Sequence, residues 1–201
     1  MRWFIMKSFF KNHSYDMVKM FLNQFATAIF GFVLALSASY AKSAVLRNVT
    51  SAAAVLFYLF LLYTMTWEIG YKERTAVQSG SKSFRWFTGG LISLCANSIN
   101  FLLAIFIMLA QVLPTSALGG LGGVSAFIAL LIEGQYLGLL VNPVFGAALN
   151  SYWLTFFVIP LPAIITCTIA YNTGFHDLRL TSWFHPVSPE LEAAKKEQRK
   201  R

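Results

Sequence analysis

The chain reads as all-α: a polytopic membrane protein built as a four-helix transmembrane bundle, with an additional re-entrant or interfacial helix near residues 124–140. Three observations predict this. Charged residues are 12% of the 201 and hydrophobic ones 57%, against roughly 25% charged in a soluble domain. Residues 86–132 are a run of 47 without Asp, Glu, Lys or Arg, more than one bilayer span requires at about 20 apolar residues each. The net charge of +8 is unevenly placed, in the manner of the cytoplasmic Lys/Arg excess of membrane proteins rather than of nucleic-acid binders. A transmembrane barrel would show ~10-residue alternating segments, and the sequence has none.

The elements follow in order. Residues 1–11, "MRWFIMKSFFK", mix aromatic and basic side chains, the composition of an interfacial lead-in. The first span is expected over about 20–40. Its end, "SASYAK", offers small residues of the kind a signal peptidase cuts after Ala41. The preceding apolar run exceeds the usual signal core of roughly 7–15 residues, so an uncleaved anchor is expected. Within this span Thr27, Gly31, Ala35 and Ser39 recur every fourth residue, a small-residue stripe that lets another backbone approach closely. Packing within the chain is favoured over self-association.

The second span is expected over 49–67 and leaves the membrane through "TWEIGYKER". The third, 87–113, carries Gly89, Ser93, Asn97 and Asn100 on one stripe. Amides near mid-bilayer are costly against lipid and should face protein or water. Two readings stand: hydrogen bonding between helices, which is favoured, or a polar site for a solute or ion. Asn23 and Gln24 of the first span are the candidate partners of this pair. The last span, about 150–171, contains Pro160 and Pro162, which remove helix N–H donors and predict a break.

Between the third and last spans, "GGLGG" reads as a hinge leading into a helix over 124–140 that stops near Asn142-Pro143. Glu133 interrupts it. Were the helix interfacial, Glu133 would face water, the favoured reading. Were it buried, it would be an intramembrane carboxylate of the kind that serves ion or proton paths. Charge counting separates four spans from five. With four, 14 of the 16 Lys and Arg residues fall on one side, which puts both termini and the 70–85 loop in the cytoplasm. Five would place the six-charge tail outside. Residues 1–178 then form a single transmembrane domain and 179–201 a basic cytoplasmic tail. That tail contains a short helix capped by Ser188 and a Lys195–Arg201 cluster suited to anionic lipid or to plain solvation.

The five tryptophans, Trp3, Trp67, Trp86, Trp153 and Trp183, fall at or near span ends, where amphipathic rings prefer the headgroup zone. Cys95 and Cys167 lie in apolar runs and read as buried small hydrophobes rather than a disulfide. His176, Asp177 and His185 match no metal spacing, and no nucleophile elbow, zinc-protease or phosphate-loop pattern is present. No cofactor, metal or nucleic acid is expected.

The stretches "YTMTWEIGYKER", "YLGLL" and "PLPAII…AYNTGF" resemble a family of small four-span integral membrane proteins of Gram-positive bacteria. In that family a W-E-x-G-x-x-(D/E)-R stretch follows the second hydrophobic segment. It corresponds here to Trp67, Glu68, Gly70, Glu73 and Arg74. The resemblance implies a bacterial plasma membrane and carries no activity or ligand. The leading functional expectation is a non-enzymatic accessory or assembly subunit that engages a protein partner through that cytoplasmic surface and the tail. The alternative is a small oligomeric transporter or channel built on Asn97, Asn100, Asn23, Gln24 and Glu133.

Overall fold

The computed structural model describes residues 2–113, 116–144 and 146–178. The basic tail, with its predicted helix, Trp183 and His185, lies outside the described residues. The helices are α1 (Arg2–Tyr40), α2 (Ala44–Gln78), α3 (Thr88–Ala96), α4 (Ser98–Val112), α5 (Ser116–Ile132), α6 (Leu137–Leu140), α7 (Trp153–Val158) and α8 (Leu161–Phe175). Single 3₁₀ turns, Gly134–Tyr136 and Leu149–Ser151, precede α6 and α7. A minimal hairpin of β1 (Pro143–Val144) and β2 (Ala147–Ala148) is the small departure from an all-helical chain. Its turn contains Gly146 at φ 87°.

Phe9–Tyr40, Ala44–Gln78 and Trp153–Phe175 are each long and apolar enough to cross a membrane. The number reaches five if each of two bent helix pairs counts as one span. The first bent pair is α3–α4, whose axes differ by 56°, where a continuous third span was expected. The bend falls on Asn97, which sits at φ −88° and ψ 7°. Its side-chain amide donates to the Ser93 carbonyl at 2.8 Å, so the side chain competes for an acceptor of the helix ladder. The second pair, Leu118–Ile132 with Gly134–Leu140, bends by 82°.

That bend corrects the predicted hinge. Helix α5 runs straight through "GGLGG", and the chain turns instead at Glu133. Gly122 allows this because α5 lies close on α4: a Cβ there would strike the Ala110 side chain. Both ends of the 116–140 segment lie at one end of the molecule. The Gln111 amide donates to the Ser151 carbonyl at 3.2 Å. Leu149 N–H donates to the Asn142 carbonyl at 3.1 Å, and Arg47 donates to Asn142 Oδ1 at 3.1 Å. The turn at Glu133, between α5 and α6, instead reaches Gln24, near the middle of the Phe9–Tyr40 helix.

The second helix also outruns its expected end. It continues through Gly70 to Gln78, about 52 Å at 1.5 Å per residue, against ~30 Å of hydrocarbon. The helix is thus longer than a bilayer core is thick. Gly70 stays helical because it is a contact point: a Cβ there would meet the Tyr171 carbonyl, and one on Gly174 would meet the Trp67 carbonyl. The two similar exits pack on each other. Both close alike: Ser81 N–H donates to the Ala76 carbonyl and Leu178 N–H to the Thr173 carbonyl. Gly80 (φ 73°) and Asp177 (φ 56°) supply the left-handed residue that this ending needs.

Two apolar cores hold the helices. Met20, Tyr58, Leu62, Ile92, Cys167 and Tyr171 join α1, α2, α3 and α8. Leu103, Ala104, Ile107, Ala129, Ile132 and Phe156 join α4, α5 and α7. Both cysteines are free, and Cys167 is fully buried.

Candidate functional site: a buried carboxylate at a helix break

Glu133 ends α5 and begins the 3₁₀ turn, and it is 3% exposed. The interfacial placement predicts a water-facing carboxylate; the structure buries it. The cause is the close approach of the Gly134 turn to α1. A Cβ on Gly134 would collide with the Ala28 carbonyl, and one on Gly31 would collide with the Gln135 backbone. Thr27, Gly31 and Ala35 of the small-residue stripe are buried, while Ser39 is exposed. The stripe is thus used inside the chain, as its favoured reading held, to seat this turn.

Around the carboxylate the polar groups are sparse. The Gln24 amide donates to Glu133 Oε1 at 3.2 Å, and the Gln135 amide donates to Oε2 at 3.4 Å. Both donors are neutral, and both residues are essentially inaccessible. Among the described residues no cationic side chain pairs with Glu133. Gln135 Oε1 and the Tyr136 hydroxyl are buried with no partner. Carboxylates are expensive in such surroundings unless their charge is balanced or removed. The arrangement suits a group whose charge is met by an arriving cation or a proton.

The predicted set does not come together as one site. Gln24 reaches Glu133, while Asn23 turns its amide to the Met65 sulfur at 3.5 Å. Asn100 donates to Asn97 Oδ1 at 2.9 Å, and Asn97 in turn bonds Ser93. These form a second buried cluster at the α3–α4 bend, with Asn100 Oδ1 left without a partner. Sequence reasoning missed Gln135 and Tyr136. The signal was the short polar interruption "EGQY" in an apolar run, of which only the charge was read.

The predicted cytoplasmic surface divides. Glu68 is solvent-exposed and pairs with exposed Lys72 at 3.5 Å. Trp67 stacks on Tyr71 and donates from its indole to the Leu178 carbonyl at 2.9 Å. Gly70 is consumed by the α2–α8 contact. Arg74 pairs with Asp177 at 3.7 Å. Glu73 points inward, where Lys82 donates to Oε1 at 2.6 Å and the Tyr171 hydroxyl to Oε2 at 2.7 Å. His13 Nε2 lies 3.5 Å from Oε1. Burial opposes the Glu73 charge, but those hydrogen bonds and the charges of Lys82 and His13 outweigh it, so its carboxyl is held below its usual value.

An apolar crevice of about 540 Å³ adjoins the break. It lies between the Tyr136–Leu140 segment and the chain from Leu149 to Pro162. Among the described residues no three His, Cys, Asp or Glu are grouped to hold a metal ion.

Fold and site together define a class: a helical protein with three to five helices fit to cross a membrane, carrying a buried carboxylate where one bent pair turns. No family model, curated protein or solved structure matches the chain.

Proposed function

We propose that the protein is a four-span plasma-membrane transporter or channel for a small solute or ion, with both termini cytoplasmic and Glu133 as its binding carboxylate. One observation carries the reading: a carboxylate buried at a mid-molecule helix break with only neutral amide donors. Ionisable groups so placed in membrane proteins serve ion and substrate paths, and broken helices expose backbone for binding. The bends at Asn97 and Glu133, with the proline break after α7, give this chain three interrupted helices. The shared end of residues 47, 111, 142 and 151 supports a re-entrant α5–α6 and hence four crossings. The Lys/Arg asymmetry supports the orientation, and the sequence resemblance supports a bacterial plasma membrane.

The accessory-subunit reading rests on the other face of the molecule: Gly70 and Glu73 are engaged within the chain, while Glu68 and the Arg74–Asp177 pair remain at least partly exposed, and the tail lies outside the described residues.

Reconstituted vesicles test the proposal. A proton- or cation-sensitive dye inside them should report flux that Glu133→Gln lowers at least tenfold, with Asn97→Leu also impairing it and both variants eluting as monodisperse protein. Flux that is absent, or indifferent to Glu133→Gln, overturns the proposal.

A further inference from the structure

We propose that the species Glu133 binds is a proton and not a metal cation, taken at Oε2 and held there by Gln135, whose side-chain amide turns over as the carboxylate changes charge. This names the substrate of the transport reading and rests on it for its functional meaning. The donor set is the first argument. Both oxygens of Glu133 face amide nitrogens: Gln24 donates to Oε1 at 3.2 Å and Gln135 to Oε2 at 3.4 Å. Each N–H stands where a metal ion would need an oxygen, and hard cations such as calcium gather about six to eight of those. Space is the second argument. Gln24, Glu133 and Gln135 are 1%, 3% and 0% exposed. A Cβ on Gly134 would collide with the Ala28 carbonyl, and one on Gly31 with the Gln135 backbone. The turn is thus packed backbone against backbone, and neither Glu133 nor Gln135 lines the apolar crevice. A proton adds no volume here, whereas a cation with part of its water shell does.

Gln135 supplies the third argument. Its Oε1 is buried with no partner. A primary amide carries an acceptor and two donors on one planar group, and a half turn about its last bond exchanges them. With Glu133 ionised, the nitrogen faces Oε2 and the amide oxygen is idle. When a proton bonds Oε2, the carboxyl becomes neutral and gains a donor. The amide then turns, and Gln135 Oε1 accepts that O–H. Loss of the proton reverses both steps. The proton is assigned to Oε2 because its amide contact is the longer of the two and belongs to the residue with the idle oxygen. Gln24 stays on Oε1 in both states. Nothing else nearby carries the charge change. Among the described residues, α1 presents neutral Gln24, α2 presents Tyr58, and the turn itself presents Tyr136; these two phenols are the titratable groups that sense Glu133.

Infrared difference spectra of the purified full chain in nanodiscs, recorded as buffer pH is stepped, are the test. Protonation should raise a carboxylic-acid carbonyl band that Glu133→Gln abolishes and Glu133→Asp displaces. Gln135→Met keeps the length and removes the amide acceptor. It should move the band to higher frequency, since an acid whose O–H is unbonded has the stiffer carbonyl. A tenfold rise in sodium, potassium or calcium, with choline holding ionic strength constant, should leave the titration midpoint in place. No Glu133-dependent band, a band unmoved in Gln135→Met, or a midpoint that falls as one of these cations rises overturns the inference. The cation arm uses the unaltered chain and decides the matter even where Gln135→Met does not fold. Flux on the same preparation separates the two claims. Metal-cation flux that depends on Glu133 without proton movement overturns the proton and leaves transport standing. A titrating Glu133 band with no flux of any kind sinks transport and leaves the proton site.

Discussion

Glu68 and Glu73 sit five residues apart on one helix and meet opposite fates. Glu68 and Lys72 keep side-chain exposures of 62% and 75%, and such i,i+4 pairs contribute about 0.3–0.5 kcal/mol. Glu73 is 13% exposed because α8 brings Tyr171 over it from nearly a hundred residues away. No local pattern in "WEIGYKER" distinguishes the two acids. The motif was legible and its division was not, because burial here is a tertiary fact. The consequence is a pH dependence. The folded Glu73 carboxyl titrates below its unfolded value, so its stabilisation is complete above the unfolded value and drains away as pH falls through the folded one. Thermal unfolding in detergent should show a midpoint that drops on acidification below the ordinary carboxylate range. Glu73→Gln should lower the midpoint at neutral pH, by roughly 1–3 kcal/mol of stability for lost charge-assisted hydrogen bonds, and should flatten that acid limb. Glu68→Gln should change neither measurably. An acid limb unaltered in Glu73→Gln would refute the assignment.

At the scale of elements, apolar length and the Asn-Pro stop made the helices and the extra 124–140 segment legible. Where the chain bends was not. "GGLGG" has the composition of a hinge, yet it is helical, since in a membrane small residues also serve close helix packing. The real turn is at Glu133, fixed by two glycines that face a backbone rather than by flexible ones. This sets opposite signs on substitutions that the sequence cannot tell apart. Gly119, Gly120 and Gly123 have open space where a Cβ would go, so each change to Ala should stabilise by about 0.5–1 kcal/mol through helix propensity. Gly134→Ala would drive a methyl into the Ala28 carbonyl, and Gly122→Ala into Ala110. Each should cost roughly 1–3 kcal/mol by overpacking. Unfolding midpoints across the five variants check this, and a uniform sign across them would return the hinge to "GGLGG".

Across the whole molecule, charge asymmetry and helix contacts bear on threading independently. Lys and Arg counts report which side of the bilayer a loop faces, while hydrogen bonds report which loops share an end. Both support the proposed four crossings over five. Gln111 bonds Ser151, so the chain before α5 and the chain after α6 emerge together. A five-span chain would send them to opposite sides. Cysteine scanning in intact cells tests it on a Cys95→Ser background, where buried Cys167 is silent. A membrane-impermeant maleimide should label Leu113→Cys and Ser151→Cys from outside, and Gln78→Cys only after permeabilisation. Protection of Ser151→Cys in intact cells would mean that α5–α6 crosses the membrane. Glu133 would then sit in a through-going span, and the shared end at residues 111 and 151 would have to be given up with it. External labelling at both positions leaves Glu133 at the tip of a re-entrant hairpin.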